Sequence, residues 1–283
     1  MGGLISRESD YRSVIYVGPA GYPAGSKGPV NALELLEGLG LNAMEVQFVR
    51  QARMAEEKAR EAGLKAKEMG VVLSAHAPYY INFNSPNGTT VRKSADWLMK
   101  TSRIAGFLGA WIVVIHAASY SGRSPQRAMK AVAKGLRKCR GMLSDEGIHV
   151  VFGLETMGKK GSWGTIEEIL SVMDEVEGVL PVVDFGHIHA RSGGGLRTVE
   201  AFEEIVTKCR EASGPHMHCH FSCIEFTAEG ERRHLPLGAK EPDFSLLAKV
   251  LRRSSGDFTV ISETPVPERG AAGMKRILAS VSS

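Results

Sequence analysis

Two rhythms of apolar and polar residues alternate along this chain. Short, β-branched apolar runs are separated by longer stretches in which apolar side chains recur every three or four positions. The runs read as strands buried on both faces, and the longer stretches as amphipathic helices. Strands are expected at 14–17, 43–48, 71–75, 111–115, 149–154, 180–183, 216–221 and 258–262. Helices are expected at 30–39, 54–69, 92–108, 125–143, 165–176, 198–212, 244–252 and 269–281. Gly40 and Gly70 sit where the first two helices should stop. Eight βα units in this length fit an α/β protein of the (β/α)8 TIM-barrel type. A doubly wound sheet is the competing architecture, but the G-x-G-x-x-G turn expected after its first strand is missing. No linker of shifted composition divides the chain, so a single barrel domain over 1–283 is expected, with the polar residues 1–12 as a frayed start.

Composition adds little to this frame. Hydrophobic residues make up 43% and charged residues 23%, which is ordinary for a water-soluble protein. The net charge of +4 is compatible with a polyanionic partner and does not require one. Cys139, Cys209, Cys219 and Cys223 form no CxxC pair, and no secretory leader is visible, so a reducing cytoplasm is the expected compartment. No apolar run approaches the ~18 residues that span a bilayer.

The chemistry lies at the strand ends. A barrel carries its active site at the C-terminal ends of its strands. Strand three ends in His76, strand four in His116, strand five in Glu155, and strand six in Asp184 with His187 just beyond. Strand seven ends in His220 and strand eight in Glu263. One such residue alone has a structural explanation, as a hydrogen-bonded histidine or a helix cap. Six on consecutive strands converge on one axial pocket, where uncompensated acids and imidazoles are costly to bury. Divalent ions offset that cost, and nitrogen with oxygen ligands suits zinc, with manganese or iron as alternatives.

The run HMHCHF places His216, His218 and His220 on one face of strand seven. Only His220, nearest the C-terminal end, is expected to reach the pocket. His218 should lie one layer lower, supporting it or filling the barrel, and His216 near the bottom. Beyond Asp184 a glycine-rich loop is expected, with His189 pointing away from His187. His234, in GERRHLPLG, is expected in the loop after strand seven.

Taken together, HAPYYIN at 76–82, His116, GLET at 153–156, GSWGT at 161–165, VVDFGH at 182–187, HCHFS at 218–222, RRHLPLG at 232–238 and SETP at 262–265 resemble the endonuclease IV family of zinc-dependent apurinic/apyrimidinic endonucleases. The match runs in register from about residue 43 to 265. It implies a (β/α)8 barrel holding two or three zinc ions. His76 and His116 would bind the first ion with Glu155. Glu155 would bridge to a second ion held by Asp184, His220 and Glu263. His187 and His234 would bind a third. Glu155 and Glu263 would be the catalytic carboxylates, Tyr79 would line the abasic-site pocket, and Arg53 would match loosely an arginine that inserts at the lesion. The activity implied is hydrolysis of the phosphodiester 5′ to an abasic site in damaged double-stranded DNA, by a monomer. Lys159, Lys160, Arg191, Arg197, Arg232 and Arg233 lie on loops of the same face and could meet phosphates.

Two positions depart from the family. It pairs its last loop histidine with an aspartate two residues earlier, where this chain has Arg232. The third ion then lacks a carboxylate unless Glu231 reaches it, and Arg232 would either repel that ion or bind a phosphate. The first strand carries 17–20 VGPA in place of a His-Val-Ser segment. Two rival readings follow: a divalent-metal sugar isomerase or epimerase on a similar barrel, and a non-catalytic DNA-binding relative.

Overall fold

The computed structural model describes residues 13–49 and 52–281. The expected frayed segment 1–12 lies outside them. Eight parallel strands run β1 Ile15–Pro19, β2 Ala43–Gln47, β3 Val72–His76, β4 Ile112–Ile115, β5 Val151–Glu155, β6 Val179–Asp184, β7 His216–Phe221 and β8 Asp257–Ser262. The ladder runs in order β1-β8-β7-β6-β5-β4-β3-β2. Between β1 and β2 the ring closes through one parallel bridge, Ala20 to Glu45, and the Gly21 N–H donating to the Glu45 carbonyl at 2.8 Å. Asn42 ties the same seam, its side chain accepting from the Val17 N–H at 2.9 Å. Gly18 is needed there, because a Cβ at that position would stand 1.8 Å from the Ala43 carbonyl oxygen. The unusual first-strand sequence is therefore where two backbones meet. The TIM-barrel expectation holds.

The helices are α1 Pro29–Gly38, α2 Glu56–Met69, α3 Gly88–Leu108, α4 Pro125–Asp145, α5 Ile166–Met173, α6 Phe185–Arg191, α7 Val199–Ser213, α8 Phe244–Arg253 and α9 Pro267–Ser280. Their buried faces follow the sequence spacing: α4 turns Ala128, Val132, Leu136, Cys139 and Leu143 onto the sheet. Burying each leucine there contributes about 1.5–3 kcal/mol. Inside the ring, Ile112, Val114 and Val182 form a small apolar plug. All four cysteines are buried free thiols. No helix among the described residues is long and apolar enough to cross a membrane.

Four local features differ from the sequence reading. α3 begins four residues early, because the Asn87 side chain accepts from the Thr89 N–H and caps it. Residues after Asp184 form α6 rather than a loop, and only then does the glycine-rich turn follow. His234 lies not in a loop but in an antiparallel hairpin, Cys223–Thr227 with Gly230–Leu235. Two further residues, Ala118–Ser119, pair with Ser162–Trp163 across the loops after β4 and β5.

Candidate metal centre

The centre is built around Glu155, fully buried at the end of β5. His76 Nε2 stands 3.1 Å and His116 Nε2 2.8 Å from its Oε2. Its Oε1 lies 3.1 Å from His187 Nδ1 and 3.4 Å from His220 Nδ1. Glu263 reaches the same place from β8, with Oε1 3.5 Å from His220 Nδ1. Asp184 enters from β6. Its Oδ1 accepts from the His187 N–H at 2.7 Å, which caps α6 and folds His187 back over the pocket. Asp184 Oδ2 then lies 3.6 Å from His187 Nδ1.

The outer part of the pocket comes from the hairpin. His187 Nε2 is 3.5 Å from Glu231 Oε2, and His234 Nε2 is 3.8 Å from Glu231 Oε1. The three-residue spacing of Glu231 and His234 should put them on opposite faces of a regular strand. Here Glu225 pairs with Arg233 and Phe226 with Glu231, so Arg232 is an extra residue, a β-bulge. The bulge turns Glu231 and His234 to the same side, with side chains only 17% and 25% exposed. Arg232 and Arg233 face solvent, and both clasp the Glu225 carboxylate. The concern that Arg232 would stand beside an outer cation is therefore corrected: its guanidinium points out of the pocket. Gly158 lets the loop after β5 lie against this edge, since a Cβ there would come within 2.7 Å of Glu231 Cβ and 3.0 Å of the His187 ring.

Three histidines are held in the same way. Nδ1 of His76, His187 and His234 lies 2.7, 2.9 and 2.8 Å from the backbone carbonyls of Ala77, Thr156 and Glu263. A proton on Nδ1 donated to each carbonyl leaves Nε2 as the free lone pair, the arrangement that orients metal-binding imidazoles.

The donor set fits divalent cations on independent grounds. Glu155 Oε1, Asp184 Oδ2 and His220 Nδ1 are buried without a hydrogen-bond partner, at one place. Such orphaned polar atoms cost about 1–3 kcal/mol each unless something satisfies them. The Glu263 carboxyl is pushed above its ordinary range by burial, with Glu155 and Asp184 adding to the rise against the opposing pull of His220. Ligand atoms within 4.8 Å of one another occur in several groups: His76, His116 and Glu155; Glu155, Asp184, His187 and Glu263; and His187, His234 and Glu263. Glu45, His218 and His220 form another.

Glu45 is the residue that the sequence reading missed. It points inward from β2, is fully buried, and lies 3.1 Å from His218 Nε2 and 3.2 Å from His220 Nε2. The signal was present, as a carboxylate in the middle of the apolar strand AMEVQ. His218 lies below His220, as expected from the alternation of the strand. His216 is lower still, stacked on Trp111 at 4.3 Å, and burial drops its pKa to about 4. His189 turns away to Glu241 at 2.9 Å.

Among the residues expected to meet DNA, Tyr79 is half exposed on the loop after β3, and its hydroxyl donates to that of Tyr80 at 2.8 Å. Arg53 is exposed on the segment between β2 and α2. Lys159 and Lys160 are exposed beside the hairpin. Arg191 does not join them: Nη1 donates to the carbonyls of Lys159 at 2.6 Å and Ser162 at 3.0 Å, so it buttresses a loop. Arg197 is 3.4 Å from Glu241. A cavity of about 550 Å³ lined by Arg60, Leu64, Lys67, Phe107 and Trp111 opens at the other end of the barrel and has no part in this chemistry.

A pH dependence follows from these contacts. Burial alone would lower the His76 imidazole, but the Glu155 carboxylate hydrogen-bonded to it raises it to about 9. His234 is likewise raised to about 9, against burial, by Glu231 and Glu263. Both exceed the ordinary 6.5. In the cation-free protein their contribution to stability is complete below 6.5 and is lost as pH rises through about 9. A cation must displace those protons, so its affinity should rise between pH 6 and about 9. Titration calorimetry in buffers of different ionisation enthalpy should register proton release at pH 7. No proton release and a pH-independent affinity would remove these imidazoles from the ligand set.

Comparison with known proteins gives the fold a family. The model of the xylose isomerase-like TIM barrel family matches residues 33–281. An uncharacterized protein of Methanocaldococcus jannaschii is 33% identical over 264 residues, 91% of this chain and 94% of that protein. A protein of Mycoplasmopsis synoviae named "Probable endonuclease 4" is 32% identical over 195 residues, 67% of this chain and 68% of its own length. Among solved structures, endonuclease IV from Thermus thermophilus superposes with a TM-score of 0.69 at 20% identity, covering 93% of this chain and all of that one. A D-tagatose 3-epimerase-like protein does so at 0.68 and 18% identity, covering 92% and 96%. At these identities the two superpositions establish the barrel and nothing finer.

Proposed function

This chain belongs to the xylose isomerase-like TIM barrel family, as a divergent relative of its endonuclease IV members, and we propose that it hydrolyses the phosphodiester 5′ to abasic sites in double-stranded DNA with divalent ions as cofactors. The observation that carries this reading is the convergence of Glu155, Asp184, Glu263 and His220, with three of their polar atoms buried and unsatisfied at one place. Zinc suits the mixed imidazole and carboxylate set, in two or three positions. Ions held there would lower the pKa of a water and neutralise charge developing on a phosphate.

The chain's own residues supply the rest. His76 and His116 flank Glu155 on one side, and His187, Glu231 and His234 form the rim on the other. Glu155 spans the two and fixes where an attacking water must stand. Glu263, at the outer edge with 15% of its side chain exposed, can take a proton from that water. Tyr79 and Arg53 would contact the lesion, and Lys159, Lys160, Arg232 and Arg233 form a cationic edge for the phosphates around it. Extrusion of a damaged nucleotide into the pocket costs least where pairing is already lost, which would give selectivity.

The histidines argue against the sugar epimerase reading. His76, His116 and His187 together offer more imidazole than a sugar isomerase site of one or two divalent ions needs. The test is a duplex bearing one abasic site, with and without chelator, beside a panel of keto sugars. Nicking that chelator abolishes supports the proposal. Epimerisation without nicking transfers the site to sugar chemistry, and zinc binding with neither activity leaves a non-catalytic DNA-binding protein.

The rim makes a separate prediction. Glu231→Gln should release the outer ion and lower nicking by about 10–100-fold, the loss typical when a metal site is weakened. Arg232→Ala should stay within a few-fold of the parent, because the guanidinium is 65% exposed and directed to Glu225. Metal content per chain and nicking rates check both; equal losses in the two variants would contradict the bulge assignment.

A further inference from the structure

His220 is held unlike His76, His187 and His234. His76, His187 and His234 each place Nδ1 against a backbone carbonyl and turn Nε2 to the pocket. His220 is reversed: Nδ1 faces Glu155 Oε1 at 3.4 Å and Glu263 Oε1 at 3.5 Å, while Nε2 faces Glu45 at 3.2 Å. No backbone carbonyl fixes its tautomer, and Nδ1 is buried without a hydrogen-bond partner. Whatever fixes this ring must act at Nε2, and Glu45 is the group there.

Glu45 is itself rigidly placed. Its carboxylate receives the Ser74 hydroxyl at 2.9 Å, the Gln47 side-chain N–H at 2.9 Å and His218 Nε2 at 3.1 Å, besides His220. Ser74 stands opposite Glu45 in the β2–β3 register, and Gln47 lies two residues on, on the same face. Four donors occupy the two carboxylate oxygens. Ser74, His218 and His220 meet Oε2 and Gln47 meets Oε1, so the carboxylate is held from four sides as a hydrogen-bonded support behind the His220 ring. The carboxylate is also wholly buried; it contacts the centre through His220, and ligand atoms of His76 and Glu263 lie within 4.8 Å of it.

We propose that Glu45 is a positioning residue: by accepting the Nε2–H of His220 it fixes the tautomer that presents Nδ1 to Glu155 and Glu263, and so sets the affinity of the central cation position. A carboxylate behind a ligating imidazole locks ring orientation and raises ligand basicity, and its loss weakens metal binding by about 10–100-fold. The inference rests on the divalent-metal reading above. It goes beyond it by assigning a control of the central ion to β2, a strand with no residue among the ligands named for that reading.

The experiment is zinc titration of the full chain against a chromogenic chelator, for wild type, Glu45→Gln and Ser74→Ala, with thermal unfolding of each cation-free protein. Glu45→Gln should bind one zinc equivalent about 10–100-fold more weakly and leave the others unchanged. Ser74→Ala removes one of the donors that aim Glu45 and should weaken the same equivalent by a smaller factor; it carries the test if Glu45→Gln does not fold. Nitrogen-15 histidine spectra of the zinc-loaded wild type should place the His220 proton on Nε2. A folded Glu45→Gln with all equivalents at wild-type affinity overturns the inference. So does Ser74→Ala with reduced thermal stability and unchanged affinity, which would make the network purely structural, or a His220 proton on Nδ1. A wild type that takes up no zinc overturns the metal reading itself, and that outcome is distinct from all of these.

Discussion

Glu155→Gln is expected to lower cleavage of an abasic-site duplex by at least about 10³-fold, the scale seen when a centrally placed charge is lost from a preorganised site. The reason is geometric. Glu155 touches both halves of the centre, meeting His76 and His116 through Oε2 and His187 and His220 through Oε1. Those imidazoles and burial set its character: burial opposes the charge, and His116 and His220 hold the carboxyl well below its ordinary range all the same. Glutamine keeps the shape and one acceptor oxygen and removes the charge, so two positions would weaken at once. Circular dichroism should show the barrel intact, and metal content should fall by more than one ion per chain. Near wild-type nicking by a folded Glu155→Gln protein would sink the assignment of this residue as the bridge.

Removing the ions should have the second largest effect. Chelation is expected to abolish nicking and to lower the melting temperature by about 10 °C, and added zinc should restore both. A ligand at about a thousand times its dissociation constant stabilises the native state by about 4 kcal/mol. For a chain of this size each kcal/mol moves the melting temperature by about 2–4 °C. The charge balance supports the direction. Glu155, Asp184 and Glu263 crowd together, and in the cation-free protein only protonated imidazoles offset them. Scanning calorimetry with chelator and with zinc, at one pH, checks the prediction. An unchanged melting temperature with activity retained in chelator would mean that the centre works without ions.

The pattern of the chain carried much of this. Eight βα repeats, β-branched runs without polar alternation and an acid or imidazole at six consecutive strand ends led to the barrel and to His76, His116, Glu155, Asp184, His220 and Glu263 as one cluster, because strand ends in this topology share one mouth. Glu45 falls outside that pattern, because it stands within β2 and not at its end. A buried carboxylate in mid-strand needs a partner from elsewhere, and its partners His218 and His220 are more than 170 residues distant in sequence. Helix α6 was hidden because its length is short and its cap, Asp184, doubles as a pocket residue.

What the sequence determined by itself is therefore the architecture and the strand-end members of the cluster: periodicity and strand-end chemistry are local, and the fold converts them into a common location. What only the tertiary structure decided is orientation. Glu231 and His234 share a face because a bulge at Arg232 shifts the register of a hairpin, and that shift depends on pairing with Glu225 and Phe226. Arg232 leaves the pocket for the same reason. His220 turns Nδ1 inward because Glu45 waits behind its other nitrogen, across the barrel seam. A side chain's direction is set by the neighbours that hydrogen-bond it, and here those neighbours come from strands remote in the chain.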